Sequence, residues 1–418
     1  PLVAPCGDAE ALTAAVPPPD DPEVARQVQQ QRESLASARS LAVAGAHERA
    51  AERARGVLQQ AESLGYPPLL AEAELGLGSV LREHNEHEPA HAMLSRAVTS
   101  ALRSKHYEAA VEALAQRMWL EGDPLGQPER ALSSYPIADA MLDGLGRPAR
   151  LEWLLLNNHA VVQFRSGALV EASRSYRDAL RVARSVGERA LPVEVISTRY
   201  NLAMLQSEGL GRPDVAAREL RTARGQAVEL LGPDHPRVFW LTFLLAENLL
   251  AAGQATAALE VLEAARDHPP PDPYGRTRLR VELAGAYDRL RRHAAALEVA
   301  SEALALTEGA MPDDPLASIA RWRRGIARIG LGEVDAGVRD LLDAVARESR
   351  PEGSPSSHAA MAHLWAGLGL RRAGRLDEAI AQLERALELT EALGPAAHSA
   401  IGRRFFDLVD AYLERGEP

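Results

Sequence analysis

A small residue returns along this chain at a nearly constant interval, and that interval limits the possible folds more than any other feature. Ala50, Ala90, Ala131, Ala172, Ala216, Ala258, Ala296, Gly337 and Ala379 are separated by 40, 41, 41, 44, 42, 38, 41 and 42 residues. Each sits near the start of the second of two helical segments. In seven of the nine copies another small residue stands twelve positions earlier: Ala38, Gly78, Ala160, Ala246, Ala284, Gly325 and Gly367. The Ala216 copy has Ala203, one step further back. The Ala131 copy has an enlarged turn over Gly122–Pro128, which makes Ala115 its partner. Two antiparallel helices bring their backbones close only where no bulky side chain intervenes. The pattern therefore predicts nine helix hairpins, each crossing at a pair of small residues. Leu94, Tyr176, Leu220, Leu262, Leu341 and Leu383, four residues past the mark, are expected to fill the groove beside each crossing. A lone hairpin cannot bury its own apolar face, so neighbours must stack.

Composition agrees with an all-helical chain. Aromatic residues make up only 4% of the 418, and Ala, Leu, Arg and Glu dominate. Basic residues number 47 against 58 acidic ones, a net charge of −11. That balance argues against a nucleic-acid or anionic-membrane partner, which would need a basic surface. No apolar run reaches the ~18 residues of a membrane span, because the longest, Val238 to Leu250, is broken by Glu247 and Asn248. Cys6 is the only cysteine, so neither an intrachain disulfide nor a cysteine-based zinc site is expected. Residues 1–22 read as a Pro-rich leader, with Pro17-Pro18-Pro19 as a stiff linker, and the chain starting at Pro1 is expected to be a fragment or a processed product. Residues 23–397 read as the repeat array. Residues 398–418, with Phe405, Phe406, Leu408, Val409, Ala411, Tyr412 and Leu413 apolar and Arg403, Arg404, Asp407, Asp410 and Glu414 polar, read as an amphipathic capping helix and tail.

The clearest copy runs Leu368-Gly369-Leu370-Arg371-Arg372-Ala373-Gly374-Arg375-Leu376-Asp377-Glu378-Ala379-Ile380, followed by Leu383 and Ala386. It resembles the tetratricopeptide repeat, and the resemblance covers roughly residues 25–395. The resemblance implies a right-handed solenoid of about nine helix-turn-helix units. The usual period of that repeat is about 34 residues. The longer spacing here resembles the kinesin-light-chain variety, as do Leu231-Gly232-Pro233-Asp234-His235-Pro236 and the Asn motifs Leu156-Asn157-Asn158-His159 and Tyr200-Asn201-Leu202. Leu393-Gly394-Pro395-Ala396-Ala397-His398 is a decayed copy of the same loop. HEAT and armadillo repeats share the period but lack the small-residue register.

Candidate chemistry is sparse. His87-Glu88-Pro89-Ala90-His91 matches the HExxH string of zinc hydrolases, which needs both imidazoles on one face of a continuous helix. Ala90 is a crossing mark, however, which puts His87 in the turn and Pro89 in the first turn of the helix. No nucleophile elbow, phosphate loop or dinucleotide fingerprint is present. The chain is therefore expected to be non-catalytic, without metal or cofactor, with a hydrolase using His87, Glu88 and His91 as a remote alternative.

What remains is a groove lined by the first helix of each pair. Trp240, Phe243, Trp322 and Trp365 are expected to lean into it, with Asn157, Asn158, Arg165, Tyr200, Asn201 and Met204 adjacent, whereas Trp153 reads as core. Trp, Tyr and Arg anchor interfaces, and Asn amides can bond an extended peptide backbone. Arg323, Arg324, Arg371 and Arg372 could form a basic pocket for an acidic terminus. The expected partner is a protein or peptide. The leader and the long repeats also resemble the C-terminal repeat regions of membrane-linked bacterial serine/threonine kinases, which implies a regulatory or sensor role. A stand-alone adaptor is the other reading. The first implies an extracytoplasmic location, the second a cytoplasmic one.

Overall fold

The computed structural model describes residues 16, 19–43, 45–187, 192–311, 314–348, 356–393 and 405–416. Cys6, most of the leader, Pro355 and the decayed loop over 394–398 lie outside them. The described residues form nineteen α-helices and no strand. Eighteen make nine pairs: α1 Pro22–Val43 with α2 His47–Leu64, α3 Pro67–Glu83 with α4 His87–Arg103, α5 Tyr107–Gly122 with α6 Pro128–Gly144, and α7 Ala149–Arg165 with α8 Leu169–Ser185. Then follow α9 Pro192–Met204 with α10 Pro213–Leu231, α11 Pro236–Ala251 with α12 Ala255–Ala264, α13 Pro273–Arg289 with α14 His293–Ala310, α15 Pro315–Gly330 with α16 Val334–Glu348, and α17 Ser357–Arg372 with α18 Leu376–Ala392. The last helix is α19, Phe405–Arg415. None of the described helices is long and apolar enough to cross a membrane. The chain divides into two compact units, residues 1–198 and 199–418.

The crossing marks behave as the residue-size argument requires. All eighteen are buried. A Cβ on Gly325 would lie 2.8 Å from the carbonyl oxygen of Gly337, and one on Gly337 would lie 2.6 Å from that of Gly325. At Gly367 an added Cβ would meet the Leu383 side chain at 2.6 Å. Backbone contact at the crossing thus excludes any larger residue, and the leucine four residues past the mark occupies the adjoining groove.

Five residues before each second-helix mark the backbone enters the left-handed region, in all nine pairs. Seven of these positions are glycine. Asn85 (φ 61°) and Arg291 (φ 57°) are the exceptions. Asn tolerates that conformation through its short polar side chain, whereas Arg291 bears the steric cost of its Cβ. Helix starts use proline and side-chain caps. Pro67, Pro192, Pro213, Pro236, Pro273 and Pro315 each open a helix, where a missing N–H costs nothing. Asp272, Asp314 and Ser356 accept from Gly275 N, Leu316 N and Ala359 N at 2.7, 2.8 and 3.0 Å. In the loop that resembles the kinesin-light-chain type, His235 Nδ1 accepts from Arg237 N at 3.1 Å.

Two irregularities in the spacing have structural causes. The pair with thirteen rather than twelve residues between marks contains a π-helical turn, Leu205–Gly209, directly after α9. A wider turn absorbs one extra residue without breaking the helix. The shortest step, 38, coincides with the shortest helix, α12, which ends ahead of Pro269-Pro270-Pro271. Pro136 lies inside α6. In each unit the first helix of one pair packs on the first helix of the next, α1 through α7 in the first unit and α11 through α17 in the second. At the end α19 covers α18, with Ala411 fully buried against Ile380, Leu383 and Ala386.

Candidate partner-binding groove

Within each unit the first helices line a groove, and the register of the small residues decides which side chains reach it. Positions six and two before the first-helix mark, and one and five after it, face inward. In the second unit these supply Arg278, Ile319 and Met361, then Glu282, Arg323 and Trp365, then Glu247, then Arg289. The resulting groove, about 350 Å³, runs along α11, α13, α15 and α17. The groove of the first unit, about 370 Å³, is lined by α1, α3, α5 and the start of α7.

Several charges of the first groove are paired with one another. Arg32 forks onto Glu72 at 2.8 and 2.7 Å, and His106 Nε2 lies 3.3 Å from the same carboxylate. Burial alone would raise the Glu72 carboxyl, but hydrogen bonds from His106 and Arg32 overcome it and hold the group below its ordinary value. Arg150 pairs with Glu112 across the same wall.

In the second groove the pairing is uneven. Glu247 and Glu282 share one guanidinium: Arg278 pairs with Glu247, and its Nε lies 2.8 Å from the Glu282 carboxylate. Burial, and then the Glu282 charge, push Glu247 up to about 7. Arg323 packs against the backbone of Gly285, where a Cβ would come within 2.9 Å of the guanidinium carbon, and lies 6.0 Å from the centroid of the Trp365 ring. Burial lowers its pKa from the ordinary value.

The candidate residues are dispersed. Asn157 and Asn158 are buried, at 6% and 4% exposure. They belong to a hydrogen-bond chain in which Trp153 Nε1 donates to Thr198 at 2.8 Å and the Thr198 hydroxyl lies 3.1 Å from Asn157 Oδ1. Asn157 then donates to Asn158 at 3.2 Å, and Asn158 to the Ala115 carbonyl at 2.9 Å. These amides tie α5, α7 and α9 together. Arg165 pairs with Asp123 and lies over the Phe164 ring. Tyr200, Asn201 and Met204 are half-buried on α9. Trp240 stands 47% exposed on α11, while Phe243 is buried. Trp365 faces the second groove, whereas Trp322 borders it with its ring buried among Ile326, Leu341, Ala344 and Val345. Glu247, Arg278 and Glu282 were not singled out from the sequence, although they occupy the same register positions as the groove residues that were.

The four arginines do not assemble into one basic pocket. Arg324 forks onto the buried Asp340 at 2.8 and 2.6 Å, toward α16. Arg371 lies 3.7 and 3.6 Å from Asp410 and Glu414 of α19. Arg323 alone of the pair on α15 enters the groove. At the HExxH string, α4 begins at His87, and His91 Nε2 lies 3.0 Å from Glu121, a carboxylate that Arg130 also approaches at 3.0 Å. Among the described residues no group of three or more His, Cys, Asp or Glu is placed to hold a metal.

A tetratricopeptide-repeat family model matches residues 243–315 and 322–398. No curated protein matches the chain. Among solved structures, the apo form of RapI is similar with a TM-score of 0.56 at 13% identity, covering 83% of this chain and 99% of its own. A Rap protein complexed with competence and sporulation factor gives 0.49 at 13% identity, covering 93% and 98%. A kinesin light chain of Podosopora anserina with nearly identical TPR-like repeats gives 0.38 at 20% identity, covering 47% and 94%. Tetratricopeptide repeats are thus matched over residues 243–315 and 322–398, and the described residues form an all-α array of paired helices.

Proposed function

We propose that this chain is a non-catalytic scaffold that binds a protein or peptide partner along the groove of its second unit. The observation that carries this reading is the contrast between the grooves. In the first, Arg32 and Arg150 are paired with Glu72 and Glu112, whereas the second presents Trp365 and Arg323 beside the buried Trp322, and Trp and Arg are residue types that anchor interfaces. Trp240, exposed on α11, extends the same aromatic set. Capture of the partner from the source cell, followed by hydrogen exchange on the complex, tests it. Protection is expected on α11, α13, α15 and α17, and Trp240→Ala is expected to weaken capture about tenfold with a melt shifted by less than about 1 kcal/mol. Protection confined to the second helices of the pairs would refute the groove, and loss of the fold together with capture would show Trp240 to be core.

The wider role we propose is a regulatory or sensor region of a larger signalling protein such as a serine/threonine kinase. Support comes from the resemblance of the leader and the long repeats. The gene sequence upstream of Pro1 decides it: a kinase domain and a membrane helix are expected, and their absence leaves a stand-alone adaptor.

A further inference from the structure

Unmet hydrogen-bond demand in the second groove has one sign. Trp322 is 4% exposed, and its Nε1–H is buried without an acceptor. The Nε–H of Arg323 is buried in the same condition, and this arginine has no carboxylate within ion-pair distance among the described residues. No acceptor lining the groove is left buried and unpaired among the described residues. The site therefore lacks acceptors, which a ligand carboxylate would supply. Ile319, Met361 and the Trp365 face lie beside these donors and suit an apolar side chain next to the acid.

The charged groups facing the site come from four helices. Glu247 lies on α11, and Arg278, Glu282, Asp288 and Arg289 on α13; Arg323 lies on α15 and His358 on α17. Three arginines balance three carboxylates when Glu247 is ionised, and Arg278 is then held between two of them. An incoming carboxylate gains little under those conditions. Protonation of Glu247 leaves the groove one positive charge and frees one side of Arg278.

We propose that the groove is a proton-linked site for an acidic peptide, whose carboxylate docks on Arg323 and Arg278 as Glu247 takes up a proton. This rests on the groove being the binding surface argued above. The proton is exchanged near neutrality, because burial and Glu282 push Glu247 up to about 7.

Two rhodamine-labelled octapeptides, alternating Leu with Glu and Leu with Lys, test this by fluorescence anisotropy against the whole chain at pH 6 and pH 8. Peptide carboxylates stay ionised throughout this range. The Glu peptide is expected to bind about tenfold tighter at pH 6, the ratio set by one proton titrating near 7. Glu247→Gln, which mimics the protonated acid, should bind it at both pH values with the tighter affinity. Arg323→Gln should lose at least about tenfold at either pH, with circular dichroism unchanged. Equal affinity of the parent chain at both pH values, or a slope kept by Glu247→Gln, would overturn the proton linkage and leave the peptide groove standing. Preference for the Lys peptide would overturn the assigned ligand charge. No binding of either peptide, or binding indifferent to Arg323→Gln, would overturn the groove itself.

Discussion

The two units are built from the same hairpin, and their grooves differ in how the charges within them are paired. In the first, Arg32, Glu72 and His106 form a network across α1, α3 and the turn before α5, and the Trp153–Thr198–Asn157–Asn158 chain forms another. In the second, two carboxylates crowd one arginine while the Nε–H of a second arginine and an indole N–H lack acceptors. Closed networks rigidify, and open ones leave a cost that a ligand can relieve. A shared scaffold with different polar accounting is how a repeat array can confine binding to part of its length.

The largest expected effect tests whether the scaffold really is shared. Ala172→Trp in the first unit and Ala379→Trp in the second each force an indole into a fully buried crossing. Each should cost on the order of 3 kcal/mol, read by thermal melts followed at 222 nm. An unchanged melt in either variant would break the equivalence of the units.

A smaller effect separates them by acid response. His159 stacks on Tyr135 at 3.7 Å between centroids, and burial drives its pKa down from 6.5 to about 4. The unfolded chain takes up that proton first, so the first unit should lose stability as pH falls through 6.5 toward 4. Its full contribution is on the order of 1–3 kcal/mol, and His159→Phe should flatten the response. Glu247 has the opposite sign. Its folded-state pKa is raised, so the native state takes up the proton first, and stability is gained as pH falls through about 7. Glu247→Gln should abolish that gain. Hydrogen exchange resolved to each unit, compared at pH 7.5 and 5.5, checks both; responses of the same sign would erase the distinction.

The smallest effect lies in the turns. Arg291→Gly should stabilise by about 0.5–1 kcal/mol by removing a Cβ from a left-handed residue. Asn85→Gly should change stability by only a few tenths, since Asn already tolerates that backbone. Urea midpoints compare the two, and equal gains would show that residue type does not set the strain.

The helix pairs were legible in the sequence because a close crossing is a demand on residue size. Ala50 or Gly337 answers that demand wherever it stands, so the requirement prints itself at every period. The thirteen-residue spacing at Ala203 and Ala216 was visible too, though only the backbone revealed the π turn that accommodates it. The site was less legible. Trp240 could be placed on the groove-facing register, but Asn157 and Asn158 have the composition of peptide-binding amides and are engaged with Thr198 and Ala115. Arg323 and Arg324 are neighbours in the chain, yet one faces the groove and the other a buried aspartate.

From the order of residues alone follow the hairpin, its period, its turns and the net negative charge. Each of these depends on size, backbone freedom or net charge, which are properties of a residue and its near neighbours. Tertiary structure alone decided which groove was left wanting acceptors. That outcome turns on partners far apart in the chain, such as Arg32 with Glu72 and Arg278 with Glu247, separated by 40 and 31 positions. Whether a charge finds its partner depends on the stacking of neighbouring pairs, and periodicity carries no record of it.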